Sequence, residues 1–193
     1  ALIEDNTITK IINNPKAMVI GDTQYSRNIF SFRWSNAERE AIGLYEVVFD
    51  NSNKKDKKWY INTNQSFAFA DDTVTATYGT ATAKAHADAN ATDADGVELD
   101  PVVVIPGLKT NLIKDLKINV ANELARTDWY ITRNTEKSTA IPSAITTHRD
   151  LVRTRQATME TQITNASDTP ALETLYTHTT TDGVQSRPLG ELP

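Results

Sequence analysis

Thr127–Asn134 reads TDWYITRN and separates two amphipathic runs of the chain. In the run before it, apolar residues recur at four-residue spacing, which predicts one buried stripe on a helix ending near Ala125. The residues of this stripe are Leu108, Leu112, Leu116, Val120 and Leu124. A Trp129–Tyr130 pair placed directly after such a helix indicates a packing plug that fixes the next segment against it.

A second helix is predicted after the connector. Pro142 suits its first position, because a proline there leaves no backbone N–H unpaired. Its apolar stripe runs to about Asn165 and consists of Ile145, Leu151, Val152, Met159 and Ile163. Two helices of about 20 residues joined by a short connector can pack as an antiparallel hairpin. The expected interaction and packing residues are Trp129, Tyr130, Pro142, Leu112, Leu116, Val152 and Met159.

Residues 1–80 favour a small, mainly β module with one short helix. Ala17–Ile20 followed by Gly-Asp predicts a strand and a turn. Tyr25–Trp34 predicts another strand, because three aromatic residues alternate with polar ones and would share a face. Ser35 and Glu38 have the spacing of a capping box, and Gly43 is suited to end the helix that they begin.

Two further strand pairs are predicted in this module. Leu44–Phe49 and Trp59–Ile61 would pair across the lysine-rich loop Asp50–Lys58, which we interpret as a solvated tip, with contact to a polyanion as the alternative. Ser66–Tyr78 predicts a hairpin. Its second arm, Thr73–Tyr78, is uncharged and rich in β-formers, so we consider it an edge that can accept another chain's strand.

The remaining segments complete an α+β organisation. Residues 81–106 are rich in Ala, Thr and Asp and predict a linker; residues 107–166 are the helical hairpin. Residues 167–193 are polar and predict an extended C-terminal arm.

Composition and motifs disfavour most chemistry. The net charge of −5 gives no basic footprint for nucleic acid, and no apolar run is long enough for a membrane span. Cysteine is absent. His86 and Asp88 lack a third metal ligand, and the Asp93–Gly96 motif lacks the carboxylates that a calcium loop needs at its ends. We therefore expect no catalytic residues, no metal and no cofactor, and hence no enzyme.

The helical segment also resembles a known module. TDW at Thr127–Trp129, TAIP at Thr139–Pro142 and an Arg-rich second helix with Arg149 and Arg153 are similar to the C-terminal module of bacteriophage tail-fibre-associated and tail-fibre-assembly-like proteins. The run Ala17–Glu46 also looks similar to short β modules found beside that hairpin in phage proteins.

The resemblance implies a structural component of a bacteriophage virion, made in the host cytoplasm and located in the tail. It would be a baseplate or fibre-linked subunit that forms homo-oligomers, contacts other virion tail proteins, and assembles through its helical hairpin and C-terminal arm. Two alternatives stay open: a tail-fibre assembly chaperone that leaves the particle, and a capsid decoration protein.

Overall fold

The computed structural model describes every residue from Ala1 to Pro193. The chain forms two compact units, Ala1–Thr82 and Ala83–Pro193. Strands predominate in the first unit, and the long helices all lie in the second. The predicted α+β class is confirmed.

The first unit consists of short strands, one 3-10 helix and one short α-helix. Its elements are β1 (Leu2–Glu4), β2 (Thr7–Lys10), β3 (Met18–Ile20), β4 (Thr23–Tyr25), the 3-10 helix Arg27–Phe30, α1 (Asn36–Glu40), β5 (Val47–Asp50), β6 (Tyr60–Ile61), β7 (Gln65–Ala70) and β8 (Thr73–Tyr78). Two antiparallel hairpins, β1–β2 and β3–β4, precede a three-stranded sheet of order β5-β8-β7. The short strand β9 (Thr82–Ala83) lies at the boundary of the two units.

The capping box predicts the start of α1 correctly. Ser35 Oγ accepts a hydrogen bond from the Glu38 backbone N–H, and the Glu38 carboxylate accepts one from the Ser35 N–H. The bond from the Ser35 N–H, and after it one from the Ser35 hydroxyl to the same carboxylate, hold the pKa of the Glu38 carboxyl below its usual range. Gly43 follows the helix with a φ of +80°, as the glycine signal predicts.

The strand predicted over Tyr25–Trp34 is wrong, because local hydrogen bonds favour a tight turn instead. Ser26 Oγ accepts from the Asn28 N–H, and Ser31 Oγ donates to the Asn28 carbonyl, which holds Arg27–Phe30 in a 3-10 helix. The three aromatic residues do not share a face: Phe32 is 94% exposed, whereas Trp34 packs edge-on against Tyr25.

The pairing predicted for β5 and β6 is also wrong, since β5 pairs in parallel with β8. This arrangement places Val47 opposite Val74 and Phe49 opposite Ala76, and it buries Val74 and Ala76 completely. The hairpin of β7 and β8 is confirmed. Because β8 has neighbours on both sides, it is the central strand, and the hypothesis of an exposed edge at Thr73–Tyr78 is wrong.

The lysine-rich segment between β5 and β6 is exposed from Asn51 to Lys58. Its lysine ammonium groups lie over aromatic rings: Lys55 Nζ is 4.4 Å from the Tyr60 ring centroid, and Lys58 Nζ is 4.5 Å from that of Trp59. Both rings are otherwise buried. The lysine stems therefore help to cover apolar surface at this solvated tip.

The second unit is built on two long helices. Its elements are β10 (Ala89–Asn90), β11 (Val104–Ile105), α2 (Leu108–Ala125), α3 (Asp128–Lys137), α4 (Ser143–Asn165), α5 (Thr169–Tyr176), β12 (Thr179–Thr181) and β13 (Val184–Ser186). The bounds of α2 and α4 agree with those expected from their apolar stripes.

Contacts at both ends show that α2 and α4 are antiparallel. Near one end, Lys109 Nζ donates to the Thr164 carbonyl at 2.8 Å; near the other, His148 Nε2 lies 3.1 Å from Glu123 Oε1. The stripes meet between the helices, where the buried residues are Leu112, Leu116, Val120, Val152, Met159 and Ile163.

The extended arm predicted for residues 167–193 is wrong for most of its length. Asp168 caps α5 by accepting from the Ala171 N–H, and Leu172 on that helix is fully buried. Beyond the exposed β12–β13 hairpin, Leu189 is again fully buried, and Arg155 on α4 donates to its carbonyl at 2.6 Å. Leu172 and Leu189 therefore hold this segment on the helices, although its polar composition gave no indication of such contacts.

Candidate interaction surface

A buried arginine organises the junction of α2, α3 and α4. The Arg149 guanidinium donates to the Leu124 carbonyl at 2.8 Å and to the Thr127 hydroxyl at 2.7 Å. It also forms an ion pair of 2.9 Å with Asp128, the first residue of α3. The Leu124 carbonyl lies in the last turn of α2 and also accepts from the Thr127 N–H and hydroxyl, so Arg149 adds a charged donor to a carbonyl at the end of this helix.

We expect Arg149→Met to lower the free energy of unfolding of the second unit by about 1.5–3 kcal/mol, since the half-buried Leu124 carbonyl and Thr127 hydroxyl both lose a charged donor. The methionine keeps the length of the apolar stem. The ion pair itself adds little, because the Asp128 side chain is 59% exposed. Urea unfolding followed by circular dichroism at 222 nm measures the loss. Arg153→Met is the matched control, as Arg153 pairs only with the exposed Asp150; equal losses would contradict this assignment.

The connector predicted as a turn is the helix α3. Its sequence contains neither Gly nor Pro, and it ends at Lys137, directly before Ser138, whose φ is +52°. Trp129 is not a packing plug: its side chain is 50% exposed, and Tyr130 beside it is half-buried. The helix turns the tryptophan outward because Arg149, rather than an aromatic ring, fills the junction.

Arg133 completes a three-residue cluster on α3. Its guanidinium carbon lies 4.7 Å from the Trp129 ring centroid and 5.4 Å from that of Tyr130. The two rings are themselves 3.8 Å apart. Cation–π contacts of this kind hold the side chains in one arrangement at about 0.5–1 kcal/mol each at exposed sites. We call Trp129, Tyr130 and Arg133 the α3 cluster.

Residues 89–105 form a two-stranded ribbon where the sequence predicted a linker. Ala89 pairs with Ile105 and Asn90 with Val104. The ladder continues beyond the strands, because the Ala91 N–H donates to the Val103 carbonyl at 2.7 Å. Asp93 Oδ1 accepts from two backbone N–H groups of the tip, which orders the turn before Val97.

The ribbon exposes almost all of its large apolar side chains. Six aliphatic residues are between 37% and 62% exposed: Val97, Leu99, Val102, Val103, Val104 and Ile105. Isolated two-stranded ribbons are at best marginally stable in water, and contiguous exposed apolar patches mark interaction sites. The ribbon is therefore the second candidate contact surface of this unit.

Asp88 attaches the ribbon to the start of α2. Its carboxylate accepts hydrogen bonds from the Gly107 N–H at 2.8 Å and the Thr110 hydroxyl at 2.9 Å. These bonds, that of Gly107 first, hold the pKa of the Asp88 carboxyl below its usual range. Position 107 requires glycine, because the Ala87 carbonyl lies so close that a Cβ there would collide with it.

The first unit holds a groove of about 450 Å³ beside the exposed β5 side chain Phe49. Its walls are mostly apolar, and Arg39 and Glu40 of α1 also line it. Arg39 is already engaged with the Ile29 and Ser31 carbonyls. The groove is therefore a concave, mostly apolar surface, and the Arg39 guanidinium that lines it already donates to backbone carbonyls.

The histidines lie in separate environments. His148 pairs with Glu123, whose pKa is lowered by hydrogen bonds from Arg126 and then from His148. His178 lies 3.4 Å from Glu191, and the His86 carbonyl accepts from the Lys109 N–H. No group of three or more His, Asp or Glu side chains is placed to hold a metal ion. No helix is long and apolar enough to cross a membrane.

The residues singled out from the sequence divide into three places. Leu112, Leu116, Val152 and Met159 are buried in the layer between α2 and α4, whereas Trp129 and Tyr130 lie in the α3 cluster. Pro142 is exposed and precedes α4, one position earlier than predicted. Sequence reasoning named Arg149 only as part of an Arg-rich helix and missed both its buried position and the ribbon. The Asp-rich turn followed by a run of valines was the available signal for the ribbon.

Comparison with protein-family models, curated proteins and solved structures returns no match for this chain.

Proposed function

We propose that this chain is a non-catalytic structural subunit of a bacteriophage virion, belonging to the tail as a baseplate or fibre-linked component. The observation that carries the proposal is the exposed apolar ribbon at Val97–Ile105. An exposed apolar surface promotes aggregation of a protein that stays monomeric, but it serves as a contact surface in a subunit that is covered on assembly. The assignment to a phage tail rests on the resemblance of TDW, TAIP and the Arg-rich helix to phage tail proteins.

The helical hairpin serves in this proposal as a rigid frame. Its buried core and the Arg149 junction hold α3 in place, so that the α3 cluster is presented to neighbouring subunits without reorganisation. The C-terminal segment contributes through its β12–β13 hairpin, in which every residue is exposed. Homo-oligomers and contacts with other tail proteins would use these surfaces.

Mass spectrometry on purified particles, with tails separated from heads, tests the proposal. We expect the chain in the tail fraction at fixed copy number relative to a known tail component. Its presence in heads alone would overturn the tail assignment in favour of a decoration protein. Its absence from both fractions, while it is abundant in infected cells, would overturn the structural role in favour of an assembly chaperone.

A further inference from the structure

The α3 cluster has the composition of a binding hot spot. Trp, Tyr and Arg are the residue types that dominate the energetics of protein interfaces, and α3 presents one of each within five positions. Cation–π contacts preorganise the three side chains, so that little rotamer freedom remains to be lost on binding.

The charge around the cluster favours an acidic partner. Asp128 is paired with the buried Arg149, and Glu123 is paired with both Arg126 and His148. Once Asp128 is paired, the remaining charged residues of α3 are two cations, Arg133 and Lys137, and one acid, Glu136. A fitting partner combines exposed aliphatic side chains with carboxylates.

The ribbon of this same chain has that chemistry. Between Ala85 and Leu108 there are five acidic residues and no Lys or Arg: Asp88, Asp93, Asp95, Glu98 and Asp100. The six exposed aliphatic residues lie among and beside these acids. Asp88 and Asp93 maintain the ribbon itself, whereas Asp95 and Asp100 are exposed near its tip.

We propose that the ribbon of one copy docks on the α3 cluster of a second copy. Aliphatic side chains of the ribbon cover Trp129 and Tyr130, and its carboxylates meet Arg133 and Lys137. Because the two surfaces differ, the contact is head-to-tail, and a dimer still offers one free ribbon and one free α3 cluster. Such contacts build a ring where the rotation closes and a filament where it does not. This proposal rests on the proposed function, since it names how subunits of that assembly join.

Sedimentation velocity of the purified full chain over a range of concentrations tests the contact. We expect concentration-dependent species beyond the monomer, weakened by salt because the contact pairs opposite charges. Arg133→Glu/Lys137→Glu and, separately, Asp95→Lys/Asp100→Lys should each weaken association by about tenfold or more. Lys114→Glu and Asp115→Lys, on exposed positions of α2, are the matched charge reversals and should associate like the parent chain. Circular dichroism confirms that each variant is folded.

Mixing the two double variants gives the sharpest result. The α3 variant keeps an intact ribbon and the ribbon variant keeps an intact α3 cluster, so an equimolar mixture should recover association that neither variant shows alone. A chain that stays monomeric at every concentration, or folded variants that associate as the parent does, would overturn the proposal. So would a mixture that yields only monomers. Because these measurements use the isolated chain, their failure leaves the particle fractionation as a separate test of the virion role.

Discussion

Ile163→Ala is expected to lower the free energy of unfolding of the second unit by about 2–5 kcal/mol, the range for deleting a large aliphatic side chain from a core. Ile163 is fully buried on α4, close to the point where that helix gives way to α5. Its removal leaves a cavity that neighbouring helices close only in part. Helices of this length depend on packing more than on intrinsic propensity, so the loss propagates through the hairpin.

The two units allow the effect to be assigned. The helices α2 to α5 all belong to the second unit, so ellipticity at 222 nm during urea unfolding reports chiefly on that unit. In a Trp129→Phe background the remaining tryptophans, Trp34 and Trp59, both lie in the first unit, so their fluorescence reports on it. Leu151→Ala is the control on the same helix, because Leu151 is 53% exposed and its truncation should cost no more than about 0.5 kcal/mol. Similar midpoints for both variants would contradict the packing described for α4.

Gly43→Ala is expected to destabilise the first unit by several kcal/mol. Two causes act together at this position. Gly43 has a φ of +80°, and forcing a residue with a Cβ into such a conformation costs of order 1–3 kcal/mol. In addition, an ideal Cβ would lie 2.5 Å from the Ile3 carbonyl oxygen. The backbone cannot yield freely there, because the Ile3 N–H donates to the Gly43 carbonyl at 2.8 Å.

Gly21→Ala separates the two causes. Gly21 also has a positive φ, of +56°, but nothing lies within 4 Å of the Cβ that alanine would add. This control should therefore show the conformational cost alone, and Gly43→Ala should exceed it clearly. Unfolding followed by tryptophan fluorescence in the Trp129→Phe background measures both variants. Equal losses would mean that the packing of β1 against residue 43 contributes nothing.

The sequence predicted those parts of the fold in which one local signal acts without competition. The stripes of α2 and α4 recur over five or more turns, and no other period fits them. The capping box at Ser35 and the hairpin of β7 and β8 are equally local, and both were found. In each case, short-range sequence spacing and tertiary burial favour the same structure.

The parts that sequence could not predict depend on distant partners or on competing local bonds. The parallel pairing of β5 with β8 joins residues 27 positions apart, beginning at Val47 and Val74, and alternation alone does not specify it. Serine hydroxyls at positions 26 and 31 override the aromatic alternation before Trp34. Trp129 faces outward because the buried Arg149 occupies the junction, and the partners of Arg149 come from two other helices and the residue between them.

The central place of β8 in its sheet has a consequence for solubility. Thr73–Tyr78 is the kind of uncharged, β-branched segment that forms cross-β fibrils once it is released. In the folded chain both of its backbone edges are occupied, and the acidic pair Asp71–Asp72 flanks it as a gatekeeper. Fibril formation therefore requires the sheet to open first, so the lag time before turbidity should lengthen with the stability of the first unit.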